Sequence, residues 1–280
     1  WPGNNLNYFR KRTNQYEPNA TYGQDGRWRW MLYDMDYGFG MYDNPCSHNT
    51  LVHASQEGST NWQNPDWSTF LFRNLLKNEH FRIDFIIRFT DMLNTAFLPE
   101  RLISEIETMK QVLEPEMQEH MLRWERPESM NEWYQQVSVM KSFAFQRPSF
   151  QWRHLREFFN LGDSIPFQLD VSDNSHGFIR MNTVNVNSTT PGVSSDPYPW
   201  NGFYFNGIPI ELEAIPYKGY AFSHWEGAYP SDDSLLAFQP NGSFSLKAHF
   251  VKVEERDIIY FWYFGTSIPN DKPLLSIEPT

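Results

Sequence analysis

Asp34 and Asp36 stand one residue apart in YDMDYGFG (33–40), directly after the aromatic run WRWML (28–32). A strand fixes the direction of a carboxylate, and the glycines after it let the backbone bend away. That pattern suits a hard cation. Mg²⁺ takes one or two carboxylates and keeps water and phosphate oxygens as its other ligands. Phosphoryl-transfer enzymes hold metal against nucleotide phosphates in this way. A plain capped turn uses the same residue types, because Asp and Gly are both common at turns. A calcium loop fits less well. Twelve positions along from Asp34, counted inclusively, stands Pro45, where such a loop needs a bidentate glutamate. A carboxylate-pair hydrolase fits least, since Asp34 and Asp36 would not naturally flank a scissile bond.

A second group of hard donors lies upstream. The chain opens WPGNNLNYF, and Asn4 and Asn5 precede an alternating stretch one hairpin away from Asp34. Carboxamide oxygens are hard ligands, although adjacent asparagines also make ordinary turns. Cys46 has His48 two residues away, a spacing too common to mark a nucleophile, and as the single cysteine it has no internal disulfide partner. His53, His80, His120 and His154 show no metal-ligand spacing.

The elements that must position these residues divide near residue 163. YFRKR, a turn at GQDGR and WRWMLYD read as a β-hairpin. A loop of about 25 residues follows, 41–66, and loops of that length are usually functional or mobile. Phe70, Leu71, Leu75, Phe81, Phe85, Phe89 and Leu93 then recur near helical spacing, which predicts helices over 67–77 and 79–95, with Asp66 as the first N-cap. A further helical block starts at Pro99 and is split or kinked at Pro115. Two more helices are expected, parted at Arg147-Pro148, the second ending at Gly162. Trp67, Phe85, Trp124 and Trp152 are expected in the core.

Beyond Gly162 the texture changes to short alternating runs bounded by Gly, Pro, Asn and Asp: IPFQLDVS, GFIRMNTVNVN, IPIELEAIP, YAFSHWEG and SFSLKAHFVKV. This predicts an all-β module over 164–253, and DIIYFWYFG starts a further β segment in 254–280. The fold class is therefore α+β.

Net charge is −11: residues 1–163 carry 17 Lys/Arg against 21 Asp/Glu, and 164–280 carry 6 against 13. Neither part is basic, so nucleic acid is not expected as a partner. No apolar stretch is long enough for a transmembrane helix, and Trp1 opens into a polar loop rather than a signal peptide.

WPGNN…YFR, GRWRWMLYDMDYGFG, LLKNEHFRIDFIIRFTDMLNTAFLPERL and FAFQRP together resemble the CotH family, the spore-coat-protein-H-like atypical secreted protein kinases, over about residues 1–160. The resemblance implies a mainly helical kinase-like C-lobe. It makes Asn5 the metal-binding asparagine of the catalytic loop, Asp34 the metal-binding aspartate after the hairpin, and Asp36 a second acidic ligand. Asn5 and Asp34 are thus the catalytic candidates, Asn5, Asp34 and Asp36 the metal ligands, and Asn4, Asp36 and Gly38 the cofactor-binding positions, with Mg²⁺ and ATP as cofactors. The family's catalytic aspartate would fall just before Trp1 and its N-lobe further upstream, so this chain alone is expected to be inactive. Loop 41–66 would take the place of a substrate loop, with Asp43, His48 and His53 in it. GIPIELEAIPYKGYAFSHWEG with SFSLKAHF resembles the InlB B-repeat type of secreted bacterial proteins, which implies export and a spacer or adhesion role. There Gly219 makes a turn, Phe222 and Trp225 fill a small core, Gly227 ends a strand, and Tyr198, Trp200 and Tyr204 either belong to the core or pack between domains or, where exposed, stack on sugar. The function expected is phosphoryl transfer to Ser/Thr of a surface or secreted protein; the alternative is a non-catalytic surface protein whose β module binds carbohydrate or protein.

Overall fold

The computed structural model describes residues 6–32, 38–40, 45–61 and 64–253. Strands β1 (Leu6–Phe9) and β2 (Arg29–Leu32) pair antiparallel, Leu6 opposite Leu32 and Phe9 opposite Arg29. The connection between them is 10–28, much longer than a tight hairpin. It is held by buried Asp25, which accepts from the Arg27 N–H at 3.1 Å and from Arg29 Nη2 at 2.6 Å. Burial pushes the Asp25 carboxyl up, but these donors outweigh it and hold its pKa below the ordinary value.

Among the described residues six α-helices follow: α1 (Thr50–Ser55), α2 (Asp66–Leu75), α3 (Glu79–Leu93), α4 (Pro99–Leu113), α5 (Met117–Trp124) and α6 (Met130–Phe159). Helix α1 lies inside the expected loop 41–66, started by Asn49, whose side chain accepts from the Val52 N–H. Asp66 is the first helical residue of α2 rather than its N-cap. Pro65 takes the cap position, and the Asp66 carboxylate accepts from the Gly58 N–H at 2.6 Å and Arg73 at 2.7 Å. Asn78 caps α3, and Pro99 opens α4. Pro115 does part the block, through a single 3₁₀ turn over Glu114–Glu116.

The expected break at Arg147-Pro148 does not occur. Helix α6 runs for 30 residues with Pro148 inside it. A proline removes one backbone hydrogen bond and crowds the preceding turn. Packing on both sides compensates here: Val137 and Ala144 are buried with Ile106 of α4, and Leu155 is fully buried with Ile86 and Leu93 of α3. The helix ends at Asn160 in a left-handed conformation, φ 52°, two residues before Gly162. Phe85 and Trp152 pack against the helical core, but Trp67 and Trp124 do not: they are 68% and 61% exposed. Among the described residues, no helix is long and apolar enough to cross a membrane.

Residues 164–252 form two four-stranded sheets. In one, the order is β6 (Trp200–Phe205), β3 (Ser164–Val171), β10 (Phe244–Lys252), β8 (Tyr220–Gly227), with β3 and β10 parallel and the other pairs antiparallel. In the other, β5 (Val184–Asn185), β4 (Gly177–Met181), β7 (Ile210–Pro216) and β9 (Leu235–Phe238) are all antiparallel. Alternate residues of β3, β4, β7 and β10 point into one shared core, including Leu169, Ile179, Leu212 and Leu246. Gly219 takes φ 89° before β8, Phe222 and Trp225 join the core, and Gly227 is the last residue of β8. Of the two readings of Trp200 and Tyr204, the structure gives the core one: they are 7% and 0% exposed, because they lie on β6 facing the shared core; Tyr198 is half-buried against the same core. Those three rings are therefore not an open sugar platform. The segment DIIYFWYFG and the rest of 254–280 lie outside the described residues.

Candidate functional site

Of the residues assigned to chemistry from sequence, Asn4, Asn5, Asp34 and Asp36 lie outside the described residues, as does Asp43. Gly38 is described and is half-buried. After it Phe39 and Gly40 both take left-handed conformations, φ 51° and 84°, so the chain turns sharply just past the acidic motif. The β1–β2 register lets the chain enter β1 and leave β2 at the same end of one ribbon. Asparagine and aspartate oxygens are hard donors that suit Mg²⁺. Among the described residues there is no cluster of three His, Cys, Asp or Glu able to hold a metal.

The turn after the motif is seated on α6. The Phe39 ring lies 5.8 Å from that of Phe143, above a cavity of about 180 Å³ walled by Phe89, Leu93, Phe143 and Arg147. Arg147 then ties down the next segment: its guanidinium donates to the carbonyls of Cys46 and His48 and to Thr50 Oγ1, the last two at 2.7 and 3.0 Å. A forked guanidinium is suited to holding three acceptors at once. His48 and His53 face one another at 5.6 Å, and burial together with the His48 ring lowers the pKa of His53, which is therefore neutral near pH 7. Cys46 is a free thiol beside Gln146.

A second polar cluster, which sequence reasoning missed, joins the helices to the sheets. Asp91 of α3 is fully buried. Its carboxylate accepts from the Tyr204 hydroxyl, from the Thr183 N–H at 3.0 Å, from Thr183 Oγ1 at 2.5 Å and from Asn182 at 3.4 Å. Burial nevertheless pushes its pKa up to about 6, against the donors and the nearby Arg88. Three residues on, Asn94 pairs with the β6 backbone: its Nδ2 donates to the Phe203 carbonyl at 2.7 Å, and its Oδ1 accepts from the Phe203 N–H at 3.0 Å. Gly202 permits that approach, since a Cβ there would stand 2.5 Å from Asn94 Oδ1. Trp152 of α6 packs on Phe205, ring centres 5.2 Å apart. The signal available in the sequence was TDMLNT, with polar Asp91, Asn94 and Thr95 at helical spacing on the end of an apolar helix.

No match to the chain was found among curated proteins or among solved structures. A family model does match: the CotH kinase protein family, over residues 4–151, which takes in β1, β2, the acidic motif and all but the end of α6. Covering more than half of the chain, this match makes the protein a member of the CotH kinase protein family.

Proposed function

We propose that the full-length protein is an exported, atypical protein kinase that transfers the γ-phosphoryl group of Mg·ATP to Ser or Thr of a surface or secreted protein. The observation that carries this reading is the β1–β2 register within the family match. Strand β1 begins directly after Asn5 and β2 ends two residues before Asp34, at the same end of one ribbon. Asn5, Asp34 and Asp36 would hold Mg²⁺, which neutralises phosphate charge, and Asn4 and Gly38 would border the nucleotide. Just past the motif Phe39 packs on Phe143, and Arg147 holds residues 46–50; these anchors support the reading, since phosphoryl transfer needs metal ligands in fixed positions.

The test is Mg·ATP binding by calorimetry, on this chain and on a protein extended upstream. Saturable binding by the extended protein, reduced at least about tenfold by Asp34→Ala, is expected, because one charged ligand of a phosphate-bridging metal is typically worth more than about 1.4 kcal/mol. Equal binding by the Asp34→Ala variant would remove the kinase assignment.

A second reading is favoured by a specific feature of the β part, a polar pocket without charged walls between β4 and the chain leading to β6. In this reading the protein displays its β strands, similar in sequence to the InlB B-repeat type, at the cell surface and contacts carbohydrate there.

A further inference from the structure

The pocket has a volume of about 190 Å³ and opens to solvent. Its walls come from three separate segments: the β3–β4 turn with Asn174, the start of β4 with Phe178, and the long connection 186–199 with Asn187, Ser188 and Ser195; Tyr217, just after β7, closes the fourth side. Phe178 and Tyr217 form one aromatic wall, ring centres 5.7 Å apart and tilted by 38°. The back wall is Tyr198, whose hydroxyl accepts from the Ile179 N–H at 2.7 Å. Burial raises the pKa of that phenol, so it keeps its proton.

The polar groups are arranged with unused capacity. Asn187 Oδ1 accepts from Thr189 N and Oγ1, at 3.0 and 2.6 Å, which leaves its NH₂ as a donor. Asn174 donates to Asp196 at 3.0 Å, which leaves its own oxygen as an acceptor. Among the described residues the hydroxyls of Ser188, Ser195 and Tyr217 have no protein partner. Amide and hydroxyl donors and acceptors thus surround an aromatic wall.

Charge narrows the ligand class. No lining residue is Lys or Arg, and the surrounding 164–280 segment carries 6 basic against 13 acidic residues, so an anion is repelled. No lining residue is Asp, Glu, His or Cys, so a metal has no strong ligand. A purely apolar ligand would leave the amides and hydroxyls unpaired. What remains is a neutral, polyhydroxylated ring with one C–H-rich face, which rests on an aromatic face while its hydroxyls exchange hydrogen bonds with Asn and Ser. The volume suits one sugar ring, below the range of larger ligand sites. We propose that this pocket is a binding site for a single neutral sugar unit of a glycan, with Tyr217 and Phe178 as its stacking wall and Asn174, Asn187, Ser188 and Ser195 as its hydroxyl readers. The assignment rests on the carbohydrate-display reading and names its site.

The test uses the full chain on an array of immobilised neutral oligosaccharides of glucose, galactose and N-acetylglucosamine, followed by calorimetric titration of the strongest soluble hit. Two variants are compared, Tyr217→Ala, which removes the wall, and Ser195→Trp, which fills the space; thermal unfolding confirms that each is folded. The expected result is capture of at least one neutral glycan, weakened about tenfold or more by Tyr217→Ala and abolished by Ser195→Trp. Capture that neither folded variant changes would overturn the pocket while leaving carbohydrate display standing. No capture of any neutral glycan would overturn both. If Tyr217→Ala fails to fold, Ser195→Trp at the exposed rim decides alone.

Discussion

Asp91 pairs four hydrogen-bond donors with complete burial, and the balance between them sets a pH dependence. Its carboxyl titrates near 6 in the fold against an ordinary 3.8. The fold therefore binds this proton more tightly than the unfolded chain does. The stabilisation linked to the proton is fully present below about pH 3.8 and is lost as pH rises through 6. A rise of that size corresponds to roughly 3 kcal/mol. Urea unfolding of the native chain and of Asp91→Asn, compared from pH 4 to 7, isolates this one group, because Arg88 and all other titrating groups are common to both. The native-minus-variant stability is expected to fall by about 2–3 kcal/mol over that range and then level off. A difference that stays flat would mean that the donors cancel burial. At this scale the sequence was partly legible. The metal expectation for Asp34 and Asp36 falls outside the described residues and rests on type and spacing alone, whereas nothing about one aspartate in a helix says that it is buried. Burial is decided by Tyr204, more than a hundred residues away, and only the helical spacing of Asp91, Asn94 and Thr95 hinted at it.

Elements were legible where local signals and packing agree. The helices around Asn78 and Pro99 begin at residues that cap or open them, and Pro115 interrupts an exposed stretch with little to hold it together. Pro148 is the contrary case. Its local effect is the same, but Ala144 and Leu155 on either side are buried against different helices, and long-range contacts carry the helix through it. Strand β6 was missed for a related reason: Gly202 in WNGFYF looks like a turn, yet it sits mid-strand because Asn94 and Phe167 press against it. Helix α1 is short, and its Asn49 cap is hidden among loop residues. The Pro148 argument predicts a gain. Pro148→Ala restores the missing N–H toward Ala144 and removes the ring clash, so it is expected to stabilise the chain by about 1–3 kcal/mol. The measurement is the urea midpoint at unchanged slope. A loss of stability would mean that the ring of Pro148, which borders the cavity under Phe39, contributes more by packing than it costs the helix.

For the whole molecule the question is whether helices and sheets act as one body. The texture change near residue 163 suggests two pieces joined end to end. The contacts across that point are of a different kind: a buried carboxylate, an asparagine that completes the backbone pairing of β6, and a tilted tryptophan–phenylalanine ring contact. Phe205 and Ile208 from the sheet side belong to the same apolar cluster as Ile86 and Leu155. Gly192 marks how close the two parts come. It has φ 90°, and a Cβ there would stand 2.1 Å from the Thr95 carbonyl oxygen just past α3. Gly192→Ala must therefore either strain the 186–199 connection or lift it off the helix, at about 2–4 kcal/mol. Asn94→Ala would leave the Phe203 N–H and C=O without partners, at about 1–3 kcal/mol for each group left buried. The native chain is expected to unfold in urea in one transition, with tryptophan fluorescence and far-ultraviolet circular dichroism coincident. In Gly192→Ala and Asn94→Ala the two signals should separate, because helices and sheets then lose stability independently. Coincident transitions in both variants would mean that the apolar cluster around Leu155 and Phe205 couples the halves without the polar contacts. Separation would mean that these contacts fix the β sheets, and with them the Tyr217 pocket, in one orientation to the ribbon that ends beside Asn5 and Asp34.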